Sequence, residues 1–171
     1  YVMGLHYTDE AVKNFIEKID SINKPITFVF YGDHLPGIYW DTNNNNILHQ
    51  TDYFIYSNKY ARRHLGRRIY KQYDLVAPTD FMSLVQKQTL TKTTPYSALL
   101  EKVLDELPVI TTKAAAGSKE ESDAAMINDN GELIKYDDLS SSQKELYNDY
   151  KLVQYDMTAG NNYLENMNFT R

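Results

Sequence analysis

The chain has no cysteine, which removes disulfides, thiolate metal sites and cysteine nucleophiles together. That absence suits a cytosolic protein and a Gram-positive surface protein equally. Glycine and proline are sparse, at 7 and 5 of 171 residues. With 42% hydrophobic and 24% charged residues, this composition excludes a wholly disordered, collagen-like or low-complexity chain. No apolar run approaches the roughly 18 to 20 residues that span a bilayer, and Tyr1 opens no charged-then-apolar signal pattern. The length is that of one ordinary domain, or a piece of one. A start at Tyr1 in place of Met points to a processed or excised segment.

The aromatic content is unusual in kind. Tyr numbers 15 against 6 Phe and 1 Trp, so much of the aromatic volume carries a hydroxyl that needs water or a partner when packed. The charge is uneven too. Lys59, Arg62, Arg63, Arg67, Arg68 and Lys71 form an acid-free basic stretch within a chain of net charge −5. Ala61, Leu65 and Ile69 recur through it at four-residue spacing, the pattern of a solvated amphipathic helix. A basic patch of this kind also attracts anionic phospholipid heads or a polyphosphate polymer at long range, with Arg63 as a candidate contact. A pI of about 5.3 argues against nucleic acid.

Helix and strand patterns alternate along the chain, the signature of an α/β fold with a mixed, partly parallel sheet flanked by helices. Thr8 reads as a helix N-cap, followed by Val12, Phe15, Ile16 and Ile19 on one face. Residues 26–31 form a charge-free strand of the kind buried on both faces, and residues 52–56 a second. Further helices are expected after Pro78, with Phe81, Leu84 and Val85 inward, and over 97–107, with Leu99, Leu100, Val103 and Leu104 inward. Thr111 to Ala125 shows no period and reads as a mobile connection. Asn128-Asp129-Asn130-Gly131 is a hairpin turn, and Ser140 or Ser141 caps a last helix carrying Leu146, Tyr150, Val153 and Met157 on one face.

The chemistry concentrates at Gly32-Asp33-His34. A strand running into this segment places a carboxylate and an imidazole at its carboxyl end, where open α/β sheets bind ligands. Gly32 permits a sharp exit, and Pro36-Gly37 turns the chain again. A hard oxygen beside a borderline nitrogen suits Mn²⁺, Mg²⁺ or Zn²⁺, although two ligands make half a site. His6, His49 and His64 are scattered. Only His49, between an Asn-rich loop and the second strand, is placed to line the same cleft as a substrate contact.

Phe28-Val29-Phe30-Tyr31-Gly32-Asp33-His34 resembles the second metal-binding motif of the alkaline phosphatase and sulfatase superfamily, in the form of the lipoteichoic acid synthases and related phosphoglycerol transferases. Tyr7-Thr8-Asp9-Glu10-Ala11, Phe54-Ile55-Tyr56-Ser57-Asn58, Ala77-Pro78-Thr79-Asp80 and Pro95-Tyr96 are similar to other parts of that family. The resemblance covers about residues 1–108. It implies the C-terminal part of a sulfatase-like catalytic domain, followed over 109–171 by the connection, hairpin and terminal helix.

What the resemblance implies for chemistry is a divalent-metal site, Mn²⁺ foremost, with Asp33 and His34 as ligands. An acidic ligand and a nucleophilic Thr from earlier in the family's chain would complete it, and neither is in this sequence. The isolated chain is then inactive. Its partners are the remainder of its own catalytic domain and an anionic phospholipid or teichoic-acid-like substrate. The parent is anchored at the extracellular face of the cell membrane, in a Gram-positive bacterium. The reaction is phosphoglycerol or phosphoethanolamine transfer to a cell-surface polymer or glycolipid. The competing expectation is a non-catalytic extracellular α/β module, in which Asp33-His34 is only a turn and the aromatic and basic surface binds an anionic or glycan polymer.

Overall fold

The computed structural model describes residues 2–34, 37, 48–65, 73–118 and 124–171, with Leu65 described in its backbone only. Helix α1 spans Val2–Asp20, so it begins well before the expected cap. Thr8 lies inside it and donates its hydroxyl to Gly4 O at 3.0 Å. A helical Thr can satisfy its hydroxyl on the preceding turn as well as at an N-terminus, which is why a capping residue type alone misplaced the start.

Strands β1 (Thr27–Tyr31) and β2 (Tyr53–Ser57) pair antiparallel, with Val29 opposite Ile55 and Tyr31 opposite Tyr53. Helix α1 packs on this pair through Phe15, whose ring meets Phe28 edge-on at 5.1 Å. The charge-free sequence of β1 led to an expectation of burial on both faces. Phe30 and Tyr31 are instead exposed, and the rest of β1 is half-buried. Every strand pair among the described residues is antiparallel. The parallel pairing expected from alternating helices and strands is not among them, because alternation fixes element type and leaves strand direction open.

Helix α2 (Lys59–Leu65) opens the basic stretch. The remainder of that expected helix, including Ile69, lies outside the described residues. A 3₁₀ turn at Pro78–Asp80 leads into α3 (Phe81–Thr89), which buries Leu84. Helix α4 (Pro95–Glu106) starts two residues earlier than expected. Thr94 caps it by accepting from Ser97 N at 3.1 Å, while Ser97 Oγ accepts from Thr94 N at 2.7 Å. Ser97 is therefore the third residue of a capping box.

The stretch from Thr111 to Ala125 does carry regular elements. Strand β3 (Val109–Thr112), a helical turn α5 (Lys113–Ala116) and strand β4 (Ala124–Ile127) occupy its described parts. β3 is β-branched at every position, but its partner β4 is distant in sequence, so a local period could not expose it. β4 turns through Asn128–Gly131 into β5 (Leu133–Ile134), as the hairpin signal predicts. Gly131 has φ 77°, and Asn128 Oδ1 accepts from the amides of Asn130 and Glu132.

Helix α6 (Ser141–Thr158) is capped by Ser140 as expected, and α7 (Tyr163–Asn166) is started by the Asp156 carboxylate, which accepts from Tyr163 N and Leu164 N. Leu146 and Tyr150 of α6 are buried against Val103, with Leu99, Leu100, Leu107 and Ile110 around them. Val153 is half-buried, whereas Met157, expected on the buried face, is exposed in the last turn. The terminal helix thus shares a core with α4. Leu146→Ala is expected to cost about 2–4 kcal/mol from lost transfer energy plus a cavity. Urea denaturation should show that loss in one transition monitored at both α4 and α6; a separate, unaffected transition for α4 would contradict the shared core.

Candidate metal site at the end of β1

The chain leaves β1 after Tyr31, and Gly32, Asp33 and His34 follow in irregular backbone. His34 Nε2 and Asp33 Oδ1 lie 3.6 Å apart, with side chains 78% and 81% exposed. The expected juxtaposition is therefore present. A carboxylate oxygen and an imidazole nitrogen this close have the donor types and spacing that fit a divalent metal, which the two residues would hold together with further ligands. Among the described residues no third His, Asp or Glu joins them as a cluster.

Aromatic packing holds the strand end behind the pair. Phe81, at the start of α3, contacts Tyr31 at 4.8 Å and Tyr53 at 5.3 Å between ring centroids. Both sides of the last β1–β2 rung are thereby tied to α3. Gly32 sits directly against Thr51: a Cβ placed on it would fall 2.8 Å from Thr51 Oγ1 and 3.1 Å from Thr51 Cγ2. Its backbone is not in the left-handed region, unlike Gly117 and Gly131. What requires glycine at position 32 is this close approach, and not the sharp exit inferred from sequence.

A second anchor lies at the far end of β2. Asn58 is fully buried. Its Oδ1 accepts from Ile26 N at 3.2 Å and Ala61 N at 2.9 Å, and its Nδ2 donates to the carbonyls of Ile19, Ile22 and Lys24. One side chain thus caps α2 and joins it to the end of α1 and the entry to β1. The only sequence signal was an Asn between a strand and a helical pattern, read as a strand ending.

The same corner engages two residues of the basic stretch, Lys59 and Arg62. Asp20 accepts from Tyr56 OH and Lys59 N and pairs with Lys59 Nζ at 3.5 Å. Desolvation works against its charge, yet the Lys59 amide, the Tyr56 hydroxyl and the cations Lys59 and Arg62 hold its pKa below the ordinary value. Arg62 donates to Ser57 O at 2.8 Å and lies over the Tyr56 ring at 4.9 Å. Lys59 and Arg62 are structural, which leaves Arg63 exposed on α2.

The scattered histidines divide as follows. His6 is exposed on α1, 3.8 Å from Glu10. His64 stacks on Tyr60 at 3.9 Å and shares a hydrogen bond with Tyr60 O. His49 is exposed in the turn two residues before Thr51, hence on the approach to the Gly32 contact. Asp80, in the family-like Ala77–Asp80 segment, is a half-buried carboxyl whose pKa is raised by desolvation, opposed by the hydrogen bond it accepts from the Ala77 amide.

Residues 1–85 match the sulfatase family. The chain is also similar, at 34% identity and a TM-score of 0.64, to the Streptococcus pyogenes phosphoglycerol transferase GacH, whose structure is a complex with sn-glycerol-1-phosphate. That similarity covers 95% of this chain and 35% of GacH, so the chain spans about a third of the protein it matches. No curated protein matches it.

Proposed function

The chain belongs to the sulfatase family of the alkaline phosphatase superfamily, and from that footing we propose that it is the C-terminal part of the catalytic domain of a metal-dependent phosphoglycerol transferase. One observation supports the reading above the others: Asp33 and His34 stand side by side, open to solvent, where β1 ends. In this reading they hold a divalent ion, Mn²⁺ foremost, together with ligands from the rest of the domain. Such an ion would supply Lewis acidity, lowering the pKa of a nucleophilic hydroxyl and offsetting the charge of a substrate phosphate. The nucleophile is a Thr elsewhere in the parent. The chain's own contribution is to fix the two ligands at a strand end braced by Phe81, Thr51 and α1.

The glycerol phosphate bound by GacH supports an anionic substrate. The proposed donor is an anionic glycerophospholipid and the acceptor a cell-surface polymer or glycolipid, at the extracellular face of a Gram-positive membrane. No helix among the described residues is long and apolar enough to cross that membrane. The remainder of the catalytic domain is the proposed partner. Tyr7, Ala11, Val12, Phe15, Phe28 and Phe30 line an open groove of about 500 Å³ between α1 and β1, apolar surface suited to being covered by it.

The test is titration of this chain alone with Mn²⁺, coupled to an assay for phosphoglycerol release. Two ligands should give weak binding and no turnover. A roughly nanomolar dissociation constant, or turnover of a phosphodiester by the chain alone, would contradict the reading.

A further inference from the structure

We propose that Thr51 is a positioning residue for the Asp33–His34 pair, acting by packing its side chain against Gly32. The inference rests on the metal-site reading above. Tyr31 and Tyr53 form the last rung of the β1–β2 ladder, so the two chains emerging from it are Gly32 onward and, running back, Asp52 and Thr51. Among the described residues the ladder ends at that rung, and the two emerging segments meet through the contact of Thr51 with Gly32. Three atoms of Thr51 crowd the Gly32 Cα: Oγ1, Cγ2 and Cβ would lie 2.8, 3.1 and 3.2 Å from an added Cβ.

The consequence for the site is geometric. Asp33 and His34 are the next two residues, both exposed, so side-chain burial does not hold them. The backbone at Gly32 sets where both side chains start, and that backbone is held on one side by the Tyr31–Phe81 contact and on the other by Thr51. Thr is β-branched with a stiff χ1, which makes it a rigid stop. Any side chain at position 32 must displace it. The φ of Gly32 lies outside the left-handed region, and the three nearest heavy atoms that an alanine Cβ would meet all belong to Thr51. The cost of that alanine should therefore disappear when Thr51 is cut back.

The experiment is a double-mutant cycle in the full-length protein that carries this chain, read by the free-Mn²⁺ signal in electron paramagnetic resonance and by the thermal midpoint. Gly32→Ala is expected to weaken Mn²⁺ binding about 10- to 100-fold, the scale on which loss of an outer-shell contact acts. Thr51→Ala should weaken it about threefold, and Gly32→Ala/Thr51→Ala should return to within about threefold of Thr51→Ala. Thr51→Val keeps the branched shape and should bind as wild type. Should Gly32→Ala fail to fold, recovery of folding in the double variant supports the same packing conflict. Wild-type affinity in Gly32→Ala, or a double variant as weak as Gly32→Ala, overturns the role of Thr51. Failure of the underlying metal-site reading looks different: Asp33→Ala would then bind Mn²⁺ as well as wild type.

Discussion

Asp33→Ala and His34→Ala, each made in the full-length enzyme, are expected to reduce phosphoglycerol transfer at least about a thousandfold, corresponding to roughly 4 kcal/mol of transition-state stabilisation. On the proposed assignment each substitution removes one of the two ligands among the described residues, and the side chain that remains is solvent-exposed. The fold should hardly respond, since side chains 78% and 81% exposed at a strand end contribute little to packing. Circular dichroism and the thermal midpoint check that half. Wild-type turnover in either variant would remove the metal-site assignment and leave the polymer-binding module as the better reading. Arg63→Ala is the companion measurement. As an exposed residue of α2 it should leave stability unchanged, and if it steers an anionic donor its effect on apparent affinity must shrink as salt rises.

Asn58→Ala should produce the largest loss of stability of any single change outside the apolar core, on the order of 3–5 kcal/mol in chemical denaturation. Removing the fully buried amide of Asn58 unpairs two amides, of Ile26 and Ala61, and three carbonyls, of Ile19, Ile22 and Lys24, of which those of the exposed Ile22 and Lys24 can turn to water. Asn58→Asp keeps the shape and the acceptor but turns an oxygen toward those three carbonyls. It should therefore be strongly destabilising at neutral pH and recover in part in acid, where the carboxyl is protonated and can donate. A loss below about 1 kcal/mol for Asn58→Ala would mean that water or local relaxation replaces the lost bonds.

The elements that sequence reading placed well are those whose signals are local. β1, β2, the Asn128–Gly131 hairpin and the Ser140-capped α6 each carry their information within a few consecutive residues. Asp33 and His34 were legible for the same reason: they are neighbours in sequence, so their meeting at a strand end required only a strand and a stop. Thr8 shows the limit of local signals, since the same hydroxyl serves inside α1 as it would at a cap. β3 shows another, because its pairing with β4 depends on residues 12 to 18 positions away. The roles of Thr51 and Asn58 were illegible from spacing. One rests on contact with Gly32 beyond the last sheet rung, and the other on five partners drawn from α1, the entry to β1 and α2. Strand direction was unreadable because a charge-free run suits either pairing.

The central claim, that Asp33 and His34 together hold the catalytic ion, is tested most directly by anomalous diffraction from crystals of the full-length protein grown with Mn²⁺. The account predicts one strong anomalous peak within about 2.3 Å of both a carboxylate oxygen of Asp33 and Nε2 of His34, lost in the Asp33→Ala protein. A fully occupied Mn²⁺ bound elsewhere in the catalytic domain, with Asp33 and His34 remaining open to solvent, would contradict it.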